Sequence, residues 1–304
     1  MRVLMDTTYA ERAPYSGTAV YVRELIAALR EEGVDVVEAA NPSRAEPGGA
    51  SIVNALADRG WARDELPKRA REAEADVVHH PLPEHSPDVR NVVTIHDVAF
   101  EERPDLFDRR YALWARRAHR VAARRGDAVV AVSQTTADAA MRHWGIPREK
   151  IVVALHGPGQ RLDVQRGEPR HVLYVGDEEP RKNLAMIREA QLPLPLVEAR
   201  DRDAADLAEL YGHALALVHP ALIEGFGLPC VEAMAAGVPV VAYPSAAVVE
   251  VCGDAIAYAR TPAELTAAMD HLPNPETGRE RARRYSWRAS ARAHIEAYTL
   301  AAPS

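Results

Sequence analysis

Short β-branched runs alternate with longer helical patterns along this chain, the signature of βαβ units and parallel sheets, and no other feature restricts its fold as much. Arg2–Met5 reads as a strand, followed by a loop and a helix from Gly17 to Glu32. Val34–Val37, Val77–His80, Val92–His96, Ala128–Val132 and Val152–Leu155 continue the first set of strands. Gly157, Pro158, Gly159 and Gly167-Glu168-Pro169 then make a polar, turn-rich stretch that reads as an interdomain linker. A second set restarts at His171–Val175 and runs through Leu196–Glu198, Leu215–His219, Val238–Ala242 and Ala255–Tyr258. Helical signals close the chain at Pro262–Leu272 and Trp287–Leu300. The expected fold is α/β, with two Rossmann-like domains over residues 1–165 and 166–286. They are expected to face across a cleft at the carboxyl edges of their sheets, where ligands bind in such folds.

At 304 residues the chain is long enough to bury two such cores. Its 37 basic against 44 acidic side chains, −7 in all, give no global attraction to nucleic acid and leave room only for local basic patches. Cys230 and Cys252 are the only cysteines. They are too few for a disulfide framework and form no Cys-x-x-Cys pair, so a reducing cytoplasm is the expected location. Met1–Asp6 reads as a strand and not a signal peptide, because Asp6 interrupts the apolar run. No stretch approaches the ~18 apolar residues that a membrane span requires.

The chemistry concentrates between Leu215 and Glu250. There a strand leads into a loop and the loop into a helix opened by Pro229, whose missing N–H would be unpaired at that position anyway. Gly225 and Gly227 let the backbone approach a ligand. The amides of Gly227, Leu228, Cys230 and Val231, with the helix dipole, then favour an anion such as a diphosphate. Glu224 precedes those amides and Glu232 lies one turn inside the helix, so both carboxylates can face one bound molecule. A carboxylate accepts two hydroxyl hydrogen bonds at once, which suits vicinal sugar hydroxyls. Gly225-Phe226-Gly227-Leu228-Pro229-Cys230 fits a dinucleotide fingerprint poorly. It lacks the third glycine, and Pro220–Glu224 separate it from the strand.

The stretch HPALIEGFGLPCVEAMAAGVPVVA resembles the signature of glycosyltransferase family four, with its two glutamates separated by seven residues. That resemblance implies a GT-B fold. It also implies that Glu224 holds hydroxyls of the transferred sugar, that Glu232 holds the ribose hydroxyls of the nucleotide, and that Gly225, Phe226, Gly227 and Leu228 bind the donor. Tyr174-Val175-Gly176-Asp177-Glu178-Glu179-Pro180-Arg181-Lys182 resembles the family's glycine turn followed by Arg-Lys. There Arg181, a bidentate fork, and Lys182, a point charge, would neutralise the diphosphate in place of a metal ion. No Asp-x-Asp motif stands in a suitable strand context, and the expectation is no metal and no cofactor beyond the nucleoside diphosphate sugar itself.

The first half carries weaker matches. Ser16-Gly17-Thr18 resembles a glycine turn that faces the diphosphate, though a glycine at a helix start, taken alone, is usually just a cap. Val93–Asp97 resembles the family's strand ending in His-Asp, which makes His96 a hydrogen-bonding partner of the sugar or leaving phosphate. Ser133 matches a strand-to-helix turn and equally suits a helix cap. The closing segment from Tyr285-Ser286-Trp287 resembles the part of the family that returns onto the first domain, placing helix 287–304 there. The resemblance covers nearly the whole chain with one departure. Leu192–Val197 passes almost directly into Asp203–Tyr211, so the second domain is trimmed and the region Val197–Arg200 takes over where the base would be contacted.

His79, His80 and His85 invite a metal reading, but adjacent histidines on a strand point to opposite faces. The helix 108–125 carries seven arginines with Tyr111, Trp114, Ala118 and Val121 as its apolar stripe. A solvated basic face explains it, and binding of anionic lipid or a phosphorylated acceptor is the sharper alternative. The resemblance implies a retaining, metal-independent hexosyltransferase acting on a sugar, glycolipid or small-molecule hydroxyl. A nucleotide-sugar epimerase of similar fold and a non-catalytic partner subunit are the alternatives. The second is opposed by the joint presence of Arg181, Lys182, Glu224 and Glu232.

Overall fold

The computed structural model of the chain describes residues 1–43 and 57–302. Residues 44–56 of the expected first domain and 303–304 of the expected closing helix lie outside the described residues. The chain divides into two compact units. One holds residues 1–104, 108–155 and 287–304, and the other 105–107 and 156–286. The division comes at His156, ahead of residue 166. The turn-rich stretch expected as a linker is counted with the second unit, where Gly167 N–H donates to Gly212 O and Arg170 N–H to His213 O.

The first unit is a six-stranded parallel sheet of β1 (Arg2–Asp6), β2 (Asp35–Ala39), β3 (Val77–His80), β4 (Asn91–Ile95), β5 (Ala128–Ala131) and β6 (Ile151–Val153), in the order β2-β1-β3-β4-β5-β6. All residues of β3, β4 and β5 are buried, because helices cover both faces of such a sheet. Its helices include α1 (Gly17–Glu31), α2 (Leu66–Glu72), α3 (Arg109–Arg125) and α4 (Gln134–Trp144). The closing helix Trp287–Ala301 packs on α1 and on β4, β5 and β6.

That closing helix is held by a buried polar network. The Tyr21 hydroxyl meets Thr94 Oγ1 and His294 Nε2, each at 2.8 Å, and His79 Nδ1 meets the Tyr298 hydroxyl at 2.7 Å. Tyr21, His79, Thr94, His294 and Tyr298 are all essentially inaccessible to solvent, where an unpaired polar atom would be costly. His79 and His80 do point apart as adjacent strand residues must. His79 enters this network and His80 Nε2 meets Asn91 Oδ1 at 3.0 Å.

The α3 helix differs from its sequence reading. Asp108 caps it by accepting from the amides of Arg110 and Tyr111. Its buried face is Ala112, Ala115, Ala122 and Ala123. Tyr111 and Val121 of the expected apolar stripe are 38% and 40% exposed, and neighbouring Leu113 is 69% exposed. Small alanines allow the helix to lie close to β4, which leaves the larger apolar residues to the outside.

The second unit is a five-stranded parallel sheet of β7 (His171–Val175), β8 (Leu196–Ala199), β9 (Ala214–His219), β10 (Val240–Ala242) and β11 (Ala257–Tyr258), in the order β11-β10-β9-β7-β8. Its helices include α5 (Leu184–Glu189), α6 (Ala204–Gly212), α7 (Leu228–Ala236) and α8 (Ala246–Cys252). Four residues link β8 to α6, and β8 is an edge strand of this sheet. Strand order reverses between β7 and β9, and a parallel sheet opens a crevice for ligands at the carboxyl ends of such a pair.

The neutral histidines of the first unit set its acid response. Burial pushes His80, His96, His119 and His294 down to about 4, and holds His79 well below its usual value. Between pH 6.5 and 4 the unfolded chain therefore takes up protons that the folded unit refuses, so stability falls as pH falls. Each of the four histidines held near 4 contributes on the order of 3 kcal/mol to that loss. Asp6, raised by burial to about 6, works in the opposite direction, but singly. Thermal denaturation at pH 7, 6, 5 and 4 should show a steep loss beginning below pH 6.5. A melting temperature flat over that window would contradict the buried neutral network.

Candidate active site

Two loops leave the carboxyl ends of β7 and β9 and meet at the reversal point. After β7 the chain passes through Gly176, whose φ of +145° lies in the region that suits glycine, to a 3-10 turn over Pro180–Lys182. After β9 it runs from Pro220 to Gly227. The Leu222 amide donates to Arg181 O at 2.9 Å, which ties the two loops together.

The side chains of Arg181, Lys182 and Glu224 come together here. Lys182 Nζ donates to Glu224 Oε1 at 2.5 Å, and Arg181 Nη1 lies 3.9 Å from the same oxygen. The Lys182 and Glu224 side chains are each only 13% exposed. Burial alone would raise the Glu224 pKa, but the Lys182 charge, His219 and Arg181 outweigh it and hold the carboxyl well below its usual range. Lys182 is thus committed to Glu224, and Arg181 Nε donates to Glu179 Oε2 at 2.6 Å. The two cations expected to await a diphosphate are paired with carboxylates in this state.

His219, the last residue of β9, was assigned no role from sequence. Its Nε2 lies 3.4 Å from Glu224 Oε1, and its side chain is 1% exposed. Only its place in the HPALIEGFG stretch could have drawn attention to it. The approaches of Lys182, Arg181 and His219 to Glu224 are all to Oε1.

Gly227 caps α7 in the left-handed conformation, at φ +89°, and a Cβ there would stand 3.1 Å from Val248 Cγ2. The anion-binding amides are fewer than expected. Cys230 and Val231 both donate to Gly227 O because the first turn closes tightly, which leaves the amides of buried Gly227 and half-buried Leu228 as the remaining donors of that turn. Gly225 and Phe226 are both buried. The Phe226 ring, 3% exposed, sits edge-on to His156 and Tyr285, with centroids at 4.9 and 5.7 Å. Its side chain packs the loop from behind.

Glu232 stands apart from this cluster. Its Oε1 accepts from the Gln160 amide at 3.1 Å and its Oε2 from the buried Tyr211 hydroxyl at 3.1 Å. It is 6% exposed, because the turn at Gly159 lies over it so closely that a Cβ at Gly159 would stand 2.0 Å from Oε1. Expected open to a ribose, Glu232 is covered by a turn whose contact cannot be read from helical spacing. Gln160 and Tyr211 were missed for the same reason.

In the first unit Gly17 is exposed at the start of α1, where Ser16 provides the cap by accepting from the Ala19 amide. His96 is neutral at pH 7, edge-on to Tyr21 at 4.9 Å, with its Nε2 donating to Pro81 O at 2.9 Å. Ser133, expected either to cap or to bind donor, is the cap of α4. It accepts from the Thr136 amide and is fully buried, so it has no surface to offer a ligand. Among the described residues, no group of His, Cys, Asp or Glu is placed to hold a metal ion. A hollow of the second unit, of about 490 Å³, is lined by Arg161, Gln165, Ala204 and His213 and does not include the Glu224 cluster. The strand reversal, not that hollow, marks the site.

The fold is that of GT-B glycosyltransferases, two parallel-sheet α/β domains. Sucrose-phosphate synthase from Thermosynechococcus elongatus matches with a TM-score of 0.75 over 98% of each chain, at 15% identity. HepE of Anabaena, solved with UDP and glucose, matches with a TM-score of 0.67 over 97% of this chain and 98% of its own, at 15% identity. The sequence then decides the family. Residues 15–157 match Glycosyltransferase Family 4 and residues 158–274 match Glycosyl transferases group 1. O-antigen chain mannosyltransferase B of Escherichia coli is 26% identical over 269 residues, 69% of this chain and 70% of its own. This chain is a glycosyltransferase of family four.

The pairing of Lys182 with Glu224 has a consequence for stability. Breaking a buried ion pair from one side typically costs about 3–5 kcal/mol, and the partial exposure here reduces that to roughly 1–3. Lys182→Met and Glu224→Gln should each lower the melting temperature, while the double variant should lose less than the two singles combined. Strictly additive losses would show that the two side chains are not coupled.

Proposed function

We propose that this chain transfers a sugar from a nucleoside diphosphate sugar to a hydroxyl acceptor, with retained anomeric configuration and without a metal ion. The observation that carries the reading is the convergence of Arg181, Lys182, Glu224 and the Gly227 and Leu228 amides where the second sheet reverses. A diphosphate is bound by cations and directed N–H groups, and sugar hydroxyls by a carboxylate. This cluster has all three. The name of the Escherichia coli relative supports a mannosyl or other hexosyl unit and a glycan or glycolipid acceptor, and the Anabaena neighbour's UDP supports a nucleotide donor.

In this reading Lys182 exchanges Glu224 for the diphosphate while Glu224 Oε2 accepts hydroxyls of the sugar. The bond between sugar and phosphate breaks as the acceptor oxygen bonds to the same carbon from the same face. The acceptor proton passes to the departing phosphate, whose charge is stabilised by Arg181, Lys182 and the helix amides. His96 serves as a neutral hydrogen-bonding group for substrate, and Gly17 offers backbone at a helix start. Glu232 takes the ribose hydroxyls once the Gly159–Gln160 turn yields Oε1.

Calorimetry with UDP, GDP, UDP-glucose and GDP-mannose, in excess EDTA, tests the donor site. Binding should survive EDTA. Glu232→Ala should weaken the plain nucleotide, whereas Glu224→Ala should spare it and weaken the intact donor, each by about 1.5–3 kcal/mol. Binding restored only by magnesium or manganese would refute the metal-free site, and nucleotide binding unchanged in Glu232→Ala would remove Glu232 from it.

The reading includes a peripheral contact of α3 with anionic lipid. No helix among the described residues is long and apolar enough to cross a membrane. The exposed Tyr111, Leu113 and Val121 lie among the arginines of α3, a combination that suits a headgroup layer. Co-sedimentation should be stronger with vesicles containing phosphatidylglycerol than with phosphatidylcholine alone. It should fall by about 1 kcal/mol per charge when Arg110 and Arg117 are replaced by Glu. Equal recovery with both vesicle types would end the proposal.

A further inference from the structure

His219 has a place in the site that its burial alone does not explain. It ends the central strand β9, and its backbone is fixed by the Tyr243 amide, which donates to His219 O at 2.9 Å. Both ring nitrogens are buried without a well-formed hydrogen bond, and Glu224 Oε1 lies 3.4 Å from Nε2. A neutral imidazole carries one N–H. With the proton on Nε2 the ring faces Glu224 with a donor and leaves only a lone pair unpaired at Nδ1. With the proton on Nδ1 a buried donor would be orphaned and a lone pair would face a carboxylate. The geometry therefore selects the first tautomer.

The three groups on Glu224 Oε1 differ in how firmly they are placed. Lys182 is long and flexible, sits on a 3-10 turn, and in the proposed reaction must leave Glu224 for the diphosphate. Arg181 is 3.9 Å away and bonded to Glu179. His219 is short and stands on the sheet. We infer that His219 is the positioning residue of Glu224. When Lys182 turns to the phosphates, the Nε2–H of His219 retains Oε1, so that Oε2 stays directed at the sugar. This rests on the reading of Glu224 as the sugar-binding carboxylate.

The test is a cycle of His219→Phe, Glu224→Ala and the double variant, with His219→Gln as a second variant that keeps a donor in reach. The ratio of affinities for GDP-mannose and GDP, and for UDP-glucose and UDP, is measured by calorimetry. Slow release of GDP or UDP from the same donors gives a turnover. Melting temperatures report folding. His219→Phe should reduce the affinity gained from the sugar by about tenfold, the size of one charge-assisted hydrogen bond, with the plain nucleotide within about twofold. His219→Gln should recover most of the loss. In the Glu224→Ala background, His219→Phe should have no further effect, because the histidine acts only through that carboxylate. If His219→Phe has no effect, costs as much without Glu224 as with it, or weakens the plain nucleotide equally, His219 is a packing residue. If Glu224→Ala itself leaves the sugar's contribution intact, the reading of Glu224 fails first, and that outcome is distinct from the others.

Discussion

Glu224 is a carboxylate held almost out of water, and much of the second unit can be understood as what keeps it ionised. An unpaired charge at that depth would cost several kcal/mol or take up a proton. The chain answers by bringing Lys182 and Arg181 from one loop and His219 from a strand end against a single oxygen. Those loops can meet only because strand order reverses between β7 and β9, which puts both at one crevice. The Leu222–Arg181 backbone bond then holds the two loops in register.

The same arrangement makes the site self-compensating. Arg181 and Lys182 are paired with Glu179 and Glu224 and so are not bare cations waiting for an anion. A diphosphate must compete with those carboxylates, which exchanges one charge-assisted contact for another and lowers the net gain from binding. Such exchange favours ligands that bring a second feature with them. In the proposed reading a nucleoside diphosphate sugar does so, because its hydroxyls would occupy the carboxylate that the lysine gives up. Glu232 shows the same economy of contacts, held by Gln160 and Tyr211 beneath a glycine turn that no larger residue could make.

The first unit depends on neutrality instead of charge. Burial keeps its histidines and tyrosines uncharged, and through His294 and Tyr298 they anchor the closing helix to the sheet. His96 lies against Tyr21, so the candidate substrate contact of this unit shares a wall with the network that attaches the end of the chain.

Strand and helix positions were legible from the sequence, since β3 and β7 fall on the residues expected and most other elements differ by one or two at their ends. Periodicity records whether a segment is extended or helical and whether it is buried, and that is enough to order the βαβ units and to locate the Gly225–Gly227 loop before a helix. The resemblance to the family added the pair Glu224 and Glu232. What periodicity does not record is which loop lies over which side chain. Only the tertiary structure made Ser133 a buried cap, turned the Phe226 ring into packing, and gave Cys230 and Val231 amides to Gly227 O. It also covered Glu232 with Gly159 and set His219 against Glu224. The α3 stripe was misplaced for a related reason, since hydrophobicity alone ranks Tyr111 and Val121 above alanine, whereas close approach to a sheet selects the smaller side chain. Local sequence decides the elements through hydrogen bonding and side-chain period. The contacts of a site arise where distant loops converge, and those are decided by packing.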